Sequence, residues 1–164
     1  MIFLKRVVLI LVVILLLTSC HAKELSCYRL FDSLTAVREG VEIYTYQSDL
    51  RDARFFSRLY YGEVQHDLPD AFSSCDDYCV ALASGTNLWE VHIFHVISEY
   101  DIGDVESMLL ERRDRLQRAD ALSFYDDETA ERVAAARIFT AGHYVVMILS
   151  DQNDLLEREL RSRI

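Results

Sequence analysis

Leu17-Thr18-Ser19-Cys20 places an aliphatic residue, two small residues and a cysteine at the end of an unbroken apolar run from Val7 to Leu17. Small side chains fit a peptidase cleft, and the cysteine thiol can then accept diacylglycerol, so Cys20 is the candidate lipid-attachment residue. Ordinary cleavage after Ala22, with Cys20 and Ala22 as the small residues, is the competing reading. The run is eleven residues long, which as helix rises roughly 16 Å and falls short of a hydrocarbon core of about 30 Å. Extending it backward through Ile2, Phe3 and Leu4 would bury Lys5 and Arg6, a costly step unless both snorkel. Residues 1–19 are therefore expected to be an export signal of lipoprotein type. Residues 20–27 then form a tether and 28–164 a single domain.

Other groupings invite chemistry and yield to plainer readings. Glu90-Val91-His92-Ile93-Phe94-His95 would converge two histidines on a helix, but on a strand of period two His92 and His95 point to opposite faces. The branched and aromatic neighbours favour strand, so shared metal ligation is not expected. Asp126-Asp127-Glu128 and Asp151-Gln152-Asn153-Asp154 lack the alternating oxygens, central glycine and distal glutamate of a calcium loop. Both stand where helices begin, and there carboxylates cap exposed amides. No Gly-x-Ser-x-Gly elbow or glycine-rich phosphate loop occurs, and no cofactor is expected. Tyr44, Tyr46, Tyr60 and Tyr61 are either core and rim residues or the lining of a groove for a peptide or glycan.

With Cys20 assigned to a lipid, Cys27, Cys75 and Cys79 remain. Outside the cytoplasm a Cys75–Cys79 disulfide is permitted if the geometry allows it; free thiols are the alternative. Charge narrows the partners. The chain carries 17 basic and 27 acidic residues, and loss of Lys5 and Arg6 with the signal leaves 15 against 27, a formal charge of −12. Such a surface repels phosphate backbones, which disfavours nucleic acid, and it gains nothing from anionic headgroups.

The elements that must position these residues follow from periodicity and turn chemistry. Leu30, Phe31, Leu34 and Val37 recur at helical spacing, with Gly40 as a stop. Val41 to Leu50 reads as irregular or a short edge segment. Asp52 can cap a helix through Phe55, Phe56 and Leu59 that ends at Tyr61-Gly62. Tyr78 to Ala83 and Leu88 to Ile97 flank Ser84-Gly85-Thr86-Asn87 as a hairpin. In its second strand Trp89, Val91 and Ile93 share an apolar face, while Glu90, His92, Phe94 and Val96 form a mixed one, as in a sheet covered on one side.

Asp101 or Asp104 can cap a helix through Arg118 whose stripe is Val105, Met108, Leu109 and Leu116. Its outer face pairs Glu111 with Arg115 and Asp114 with Arg118. Asp126 or Asp127 opens a shorter helix through Val133. Arg137 to Thr140 and Tyr144 to Leu149 form a second hairpin, and Ser150 or Asp151 caps a terminal helix with Leu155, Leu156 and Leu160 toward the sheet. Strands in adjacent pairs give an α+β fold: an antiparallel sheet of about four strands built from two hairpins, with helices packed mainly on one face.

Leu59-Tyr60-Tyr61-Gly62, the strand Trp89 to Phe94, the charged helix Arg112 to Arg118 and the stretch Gly142 to Asp151 together resemble domain of unknown function 4358, a family of small bacterial proteins, many of them predicted lipoproteins. The resemblance spans roughly Asp49 to Leu160. His143 stands where that family often has asparagine, and the Cys75–Cys79 pair is not a feature of it. The resemblance implies export and fold but transfers no catalytic signature. Two functions are consistent with these readings. One is a non-catalytic, lipid-anchored binding or scaffolding module at the cell envelope, engaging an envelope protein, peptide or glycan. The other is a small extracytoplasmic enzyme, such as a wall-directed hydrolase.

Overall fold

A computed structural model describes residues 25–46, 53–62, 67–83, 88–118 and 126–164. The branched and aromatic segments form five strands: β1 (Val41–Thr45), β2 (Cys75–Ala83), β3 (Glu90–Val96), β4 (Arg137–Ala141) and β5 (Tyr144–Leu149). Among the described residues five α-helices accompany them: α1 (Cys27–Asp32), α2 (Ala53–Tyr61), α3 (Ile102–Leu116), α4 (Asp127–Ala134) and α5 (Asn153–Arg161). The sheet order is β1-β2-β3-β5-β4, and every pairing is antiparallel.

The expected hairpins are β2–β3 and β4–β5, and they join through β3 and β5 at the centre of the sheet. The fold is thus α+β. Its fifth strand is β1, the segment expected to be irregular or a short edge; its Val41 to Thr45 pair with Ala83 to Cys79. The Ser84 to Asn87 turn and Asp52 lie outside the described residues.

Strand parity sorts the core into two layers. One face of the sheet carries Tyr78, Val80, Phe94, Val96, Val145, Met147 and Leu149 under α2, α3, α4 and the short 3-10 turn Asp70–Ser74. The other carries Cys79, Ala81, Val91, Ile93, Val146 and Ile148 under α1 and α5. Three of the five helices lie on the first face, but the second is covered too. The face that reads as mixed in sequence, with Glu90 and His92, is therefore interior. Its centre is an aromatic cluster in which Phe72 stands 4.9 Å from Phe56 and 5.3 Å from Phe94 between ring centroids. Such pairs add about 0.5–1.5 kcal/mol each beyond their buried area.

Helix ends follow local chemistry. The Ser26 hydroxyl accepts from the Arg29 amide at the start of α1, and the Asp126 carboxylate accepts from the Thr129 amide at the start of α4, 2.8 Å away, as capping requires. At α5, Ser150 Oγ accepts from the Gln152 amide while Asn153 Oδ1 accepts from the Ser150 amide. The helix near residue 30 is shorter than its spacing suggests. It ends at Asp32, and Gly40, at φ +75°, belongs instead to the turn that starts β1.

On α5 the four-residue spacing of Glu157 and Arg161 gives an ion pair at 2.8 Å. Arg115 instead turns inward, donating to the carbonyls of Arg58 and Leu59 at the end of α2. Among the described residues no helix is long and apolar enough to cross a membrane.

Candidate functional site

The residues that invited an acid–base reading assemble into a buried chain of polar contacts. Glu90 and His92, two apart on β3, share the interior face, and α2 and α3 supply their partners. Tyr60 lies on α2, and its ring meets His92 with centroids 5.6 Å apart. Its hydroxyl is 2.7 Å from His92 Nδ1, and His92 Nε2 is 3.0 Å from Glu90 Oε2. From α3, Arg112 donates through Nη2 to Glu90 Oε1 at 2.5 Å, through Nε to Glu90 Oε2 at 3.2 Å and through Nη1 to the Leu59 carbonyl at 3.3 Å. Tyr60, Glu90 and His92 are all buried.

The electrostatics fix the protons. Burial works against the Glu90 carboxylate, yet the Arg112 guanidinium and the His92 hydrogen bond outweigh it and hold its pKa down at about 2. Burial lowers the His92 pKa against the opposing pull of Glu90, so the imidazole is neutral. Burial, followed by the Glu90 charge, pushes Tyr60 well above an ordinary phenol. One arrangement satisfies all three: Tyr60 donates to Nδ1, and Nε2–H donates to the carboxylate. Hydroxyl, imidazole and carboxylate in that order form an acid–base relay in other settings. Here the hydroxyl is sealed beneath Phe56, Phe72 and Phe94, so the chain aligns α2 and α3 on β3, and it gives the hydrolase reading no support.

The other residues singled out in sequence scatter. His95 lies at the opposite end of β3, its Nδ1 2.6 Å from Asp76 Oδ1. Tyr44 stacks on Phe55 at 4.6 Å, Tyr60 is core, Tyr46 packs edge-on to Tyr78, and Tyr61 is half-buried at the end of α2. The Cys75–Cys79 bridge does not form. Both residues lie on β2, and a bulge between Cys75 and Asp77 sends Cys75 to the α3 face and Cys79 to the α1 face. Four residues of strand span about 13 Å, well beyond the limit of about 7 Å between bridged α-carbons. Cys27, Cys75 and Cys79 are free and buried. Burial, with Asp76 beside Cys75 and Asp77 beside Cys79, pushes both thiols up to about 12, and burial and Asp77 raise Cys27 further. Cys20 lies outside the described residues. Among the described residues no group of three or more His, Cys, Asp or Glu is placed to hold a metal ion.

Two adjoining clefts open to solvent where β3 begins and β5 ends. One, of about 550 Å³, runs between α4 and the start of α5 past Glu131, Arg137, Asp154 and Arg158. The second, of about 350 Å³, runs past Arg38 and Trp89. They share Glu128, Arg132, Asp151 and Gln152. Arg132 is the fixed point between them, donating to the Leu88 carbonyl at 2.9 Å and to Glu128 Oε1 at 3.1 Å. Arg137 pairs with Asp154 at 3.3 Å across the wider cleft. Guanidinium and carboxylate groups thus pair at both Arg132 and Arg137. In sequence Asp151 and Asp154 stand at the start of α5 beside Arg158, and Arg132 and Arg137 join them in the cleft from other elements.

The fold and clefts define a small α+β domain with a two-sided helical cover and a charged, open surface at one end of its sheet. Comparison of the chain with protein-family models, with curated proteins and with solved structures returns no match.

Proposed function

We propose that this protein is a lipid-anchored extracytoplasmic module, exported by residues 1–19, held to the membrane through Cys20, and binding an envelope partner without catalysis. The observation that carries the binding reading is the position of the clefts. Residue 25, where the described chain begins, lies beside Tyr144, whose hydroxyl donates to the Leu25 carbonyl, and Tyr144 opens β5. The clefts lie at the other end of the same strand, around Ser150 to Asp154. A domain tethered at residue 20 holds them away from the bilayer, free to meet a partner.

Alternating arginines and carboxylates suit an extended peptide segment that carries both signs, for which such pairs give orientation more than affinity. The resemblance to domain of unknown function 4358 is part of this proposal only, since no family model matches.

Metabolic palmitate labelling with membrane fractionation tests the anchor. Wild type takes label and sediments with membranes, and Cys20→Ala loses the label. Unmodified Cys20 in the wild type overturns the assignment. A photo-crosslinking residue at Gln152, an exposed position in both clefts, tests the binding surface in intact cells. Discrete adducts are expected that disappear when Asp151→Lys and Arg158→Glu reverse the local charges. Adducts that are absent, or that persist unchanged through the reversal, refute the cleft as the binding surface.

A further inference from the structure

Eight large apolar side chains stand exposed among the described residues, and five of them gather at one end of the sheet: Leu25, Tyr28, Tyr46, Ile97 and Tyr100. Tyr100 is 97 % exposed and Ile97 59 %. Contacts of their neighbours place these residues around that end. The Tyr144 hydroxyl donates to the Leu25 carbonyl, and the His95 ring packs against Tyr144 at 4.8 Å and lies 5.7 Å from His143. His143 Nε2 is 4.0 Å from Glu99, next to Tyr100, and the Ile97 amide donates to the Ser74 carbonyl at the head of β2. Tyr28 follows Cys27, whose amide donates to Asp77, and the Tyr46 amide reaches the Tyr78 carbonyl on the same side.

We propose that this end of the domain is a lipid-contacting surface that rests in the headgroup layer, with Leu25, Ile97 and Tyr100 as its leading side chains. The inference rests on the Cys20 anchor proposed above. Cys20 lies five residues before Leu25, a distance that a fully extended chain spans in about 18 Å at most. This end therefore cannot turn far from the bilayer to which Cys20 would be fixed. Tyrosine, with an apolar ring and a polar tip, favours the boundary between headgroups and hydrocarbon, and isoleucine and leucine favour burial beyond it.

The charges at this end choose the lipid. Asp76, Asp77, Glu99 and Asp101 stand among the apolar groups, with His95 against Asp76 and His143 near Glu99. Arg29, beside Tyr28, is the one Lys or Arg among residues 25–29, 74–78 and 95–101, against these four carboxylates. Anionic headgroups are repelled by such a set, so the surface suits zwitterionic phospholipid. Tether and docking face then act together, orienting the charged clefts outward.

The test uses the full chain recovered from membranes and reconstituted in phosphatidylcholine vesicles. Cys27, Cys75 and Cys79 are buried and Cys20 would be acylated, so a single introduced cysteine takes an environment-sensitive fluorophore selectively. Ile97→Cys and Tyr100→Cys report on the proposed face, and Ala134→Cys, an exposed position on α4 next to Ala135 of the wider cleft, reports on the opposite end. Quenching by headgroup-proximal nitroxide lipid is expected to be about threefold or more stronger at positions 97 and 100 than at 134, and to weaken when phosphatidylglycerol is added. Acylated Cys20 with equal, aqueous-type quenching at all three positions overturns the lipid contact and leaves the anchor standing. Unmodified Cys20 with protein in the soluble fraction overturns both. Shielding at 97 and 100 that depends on protein concentration and not on nitroxide lipid assigns the face to a second copy of the chain and overturns the lipid contact.

Discussion

Replacing Arg112 by methionine keeps the length of the stem and removes the charge that Glu90 faces. In the native fold the guanidinium makes two hydrogen bonds to that carboxylate and one to the Leu59 carbonyl. Removing one member of a buried ion pair costs about 3–5 kcal/mol, because the remaining charge is left without compensation. Against the cost of its burial, Arg112 and His92 together hold the Glu90 carboxylate well below the usual range, so the pair favours the charged form in the fold. Arg112→Met should therefore lose about 3–5 kcal/mol at pH 7, measured by urea titration with fluorescence of Trp89, which lies buried in the opposite layer.

The pH dependence gives a sharper check. In wild type Glu90 has a folded pKa below its unfolded one, so its contribution is complete above pH 4.5 and is lost as pH falls toward about 2. Without Arg112 the burial of Glu90 is less opposed, its folded pKa rises, and the folded variant takes up a proton that wild type refuses. The stability gap between the two should be widest at neutral pH and narrow as pH falls through 4.5. A gap below about 1 kcal/mol at pH 7, the size of an exposed pair, or a gap equal at pH 7 and pH 4, would refute this account of the network.

Wild type itself should lose stability as pH falls below 6.5, because burial depresses the folded His92 pKa and the unfolded chain takes the proton first; urea midpoints from pH 8 to pH 5 check this, and His92→Gln should flatten the slope. With Cys75 and Cys79 pushed up to about 12 and Cys27 higher, iodoacetamide at pH 8 should leave all three thiols intact in the folded protein and modify all three in urea, read by intact mass; rapid native alkylation of any one contradicts its burial. Phe56→Ala should cost about 3–5 kcal/mol in a urea titration, since the ring contacts Tyr60, Phe72 and Tyr78 at the centre of the aromatic cluster. Gly62→Ala forces a side chain into φ +77° and places its Cβ 2.5 Å from Arg115 Cζ, so a loss of about 1–2 kcal/mol from the backbone, and more from the displaced guanidinium, should appear in thermal unfolding.

Strand parity and hairpin spacing carry most of the fold. Tyr144 to Leu149 is a strand with those bounds, and Trp89, Val91 and Ile93 share a face as their alternation requires. β1 reads only as irregular or a short edge segment because an edge strand pairs on one side only and is half-covered, with its Tyr44 packed on Phe55 and its Ile43 exposed. Its alternation is accordingly weak. The fate of Cys75 and Cys79 depends on a one-residue bulge between Cys75 and Asp77, which reverses the parity of everything before it and leaves no mark in composition. The charged clefts gather residues 38, 128–137 and 151–158, a juxtaposition set by tertiary packing alone.

The buried network shows where a signal was present but ambiguous. Glu90 and His92 on one strand face ordinarily mean that the face meets water, because burying a lone charge is costly. The alternative requires a countercharge from a helix packed on that face, and α3 carries one in plain view. Its apolar stripe runs Val105, Met108, Leu109 and Leu116, and Arg112 lies four residues after Met108, three after Leu109 and four before Leu116. By helical period it falls in the middle of that stripe, the one charge on a face otherwise given to the core. An arginine set inside an apolar stripe needs an acid opposite it, just as a glutamate inside a covered strand needs a base. Each anomaly alone reads as an exposed charge; together they specify the pairing of α3 with β3. What no periodicity supplies is Tyr60, thirty-two residues from His92, whose hydroxyl becomes a partner only once α2 is folded across the sheet.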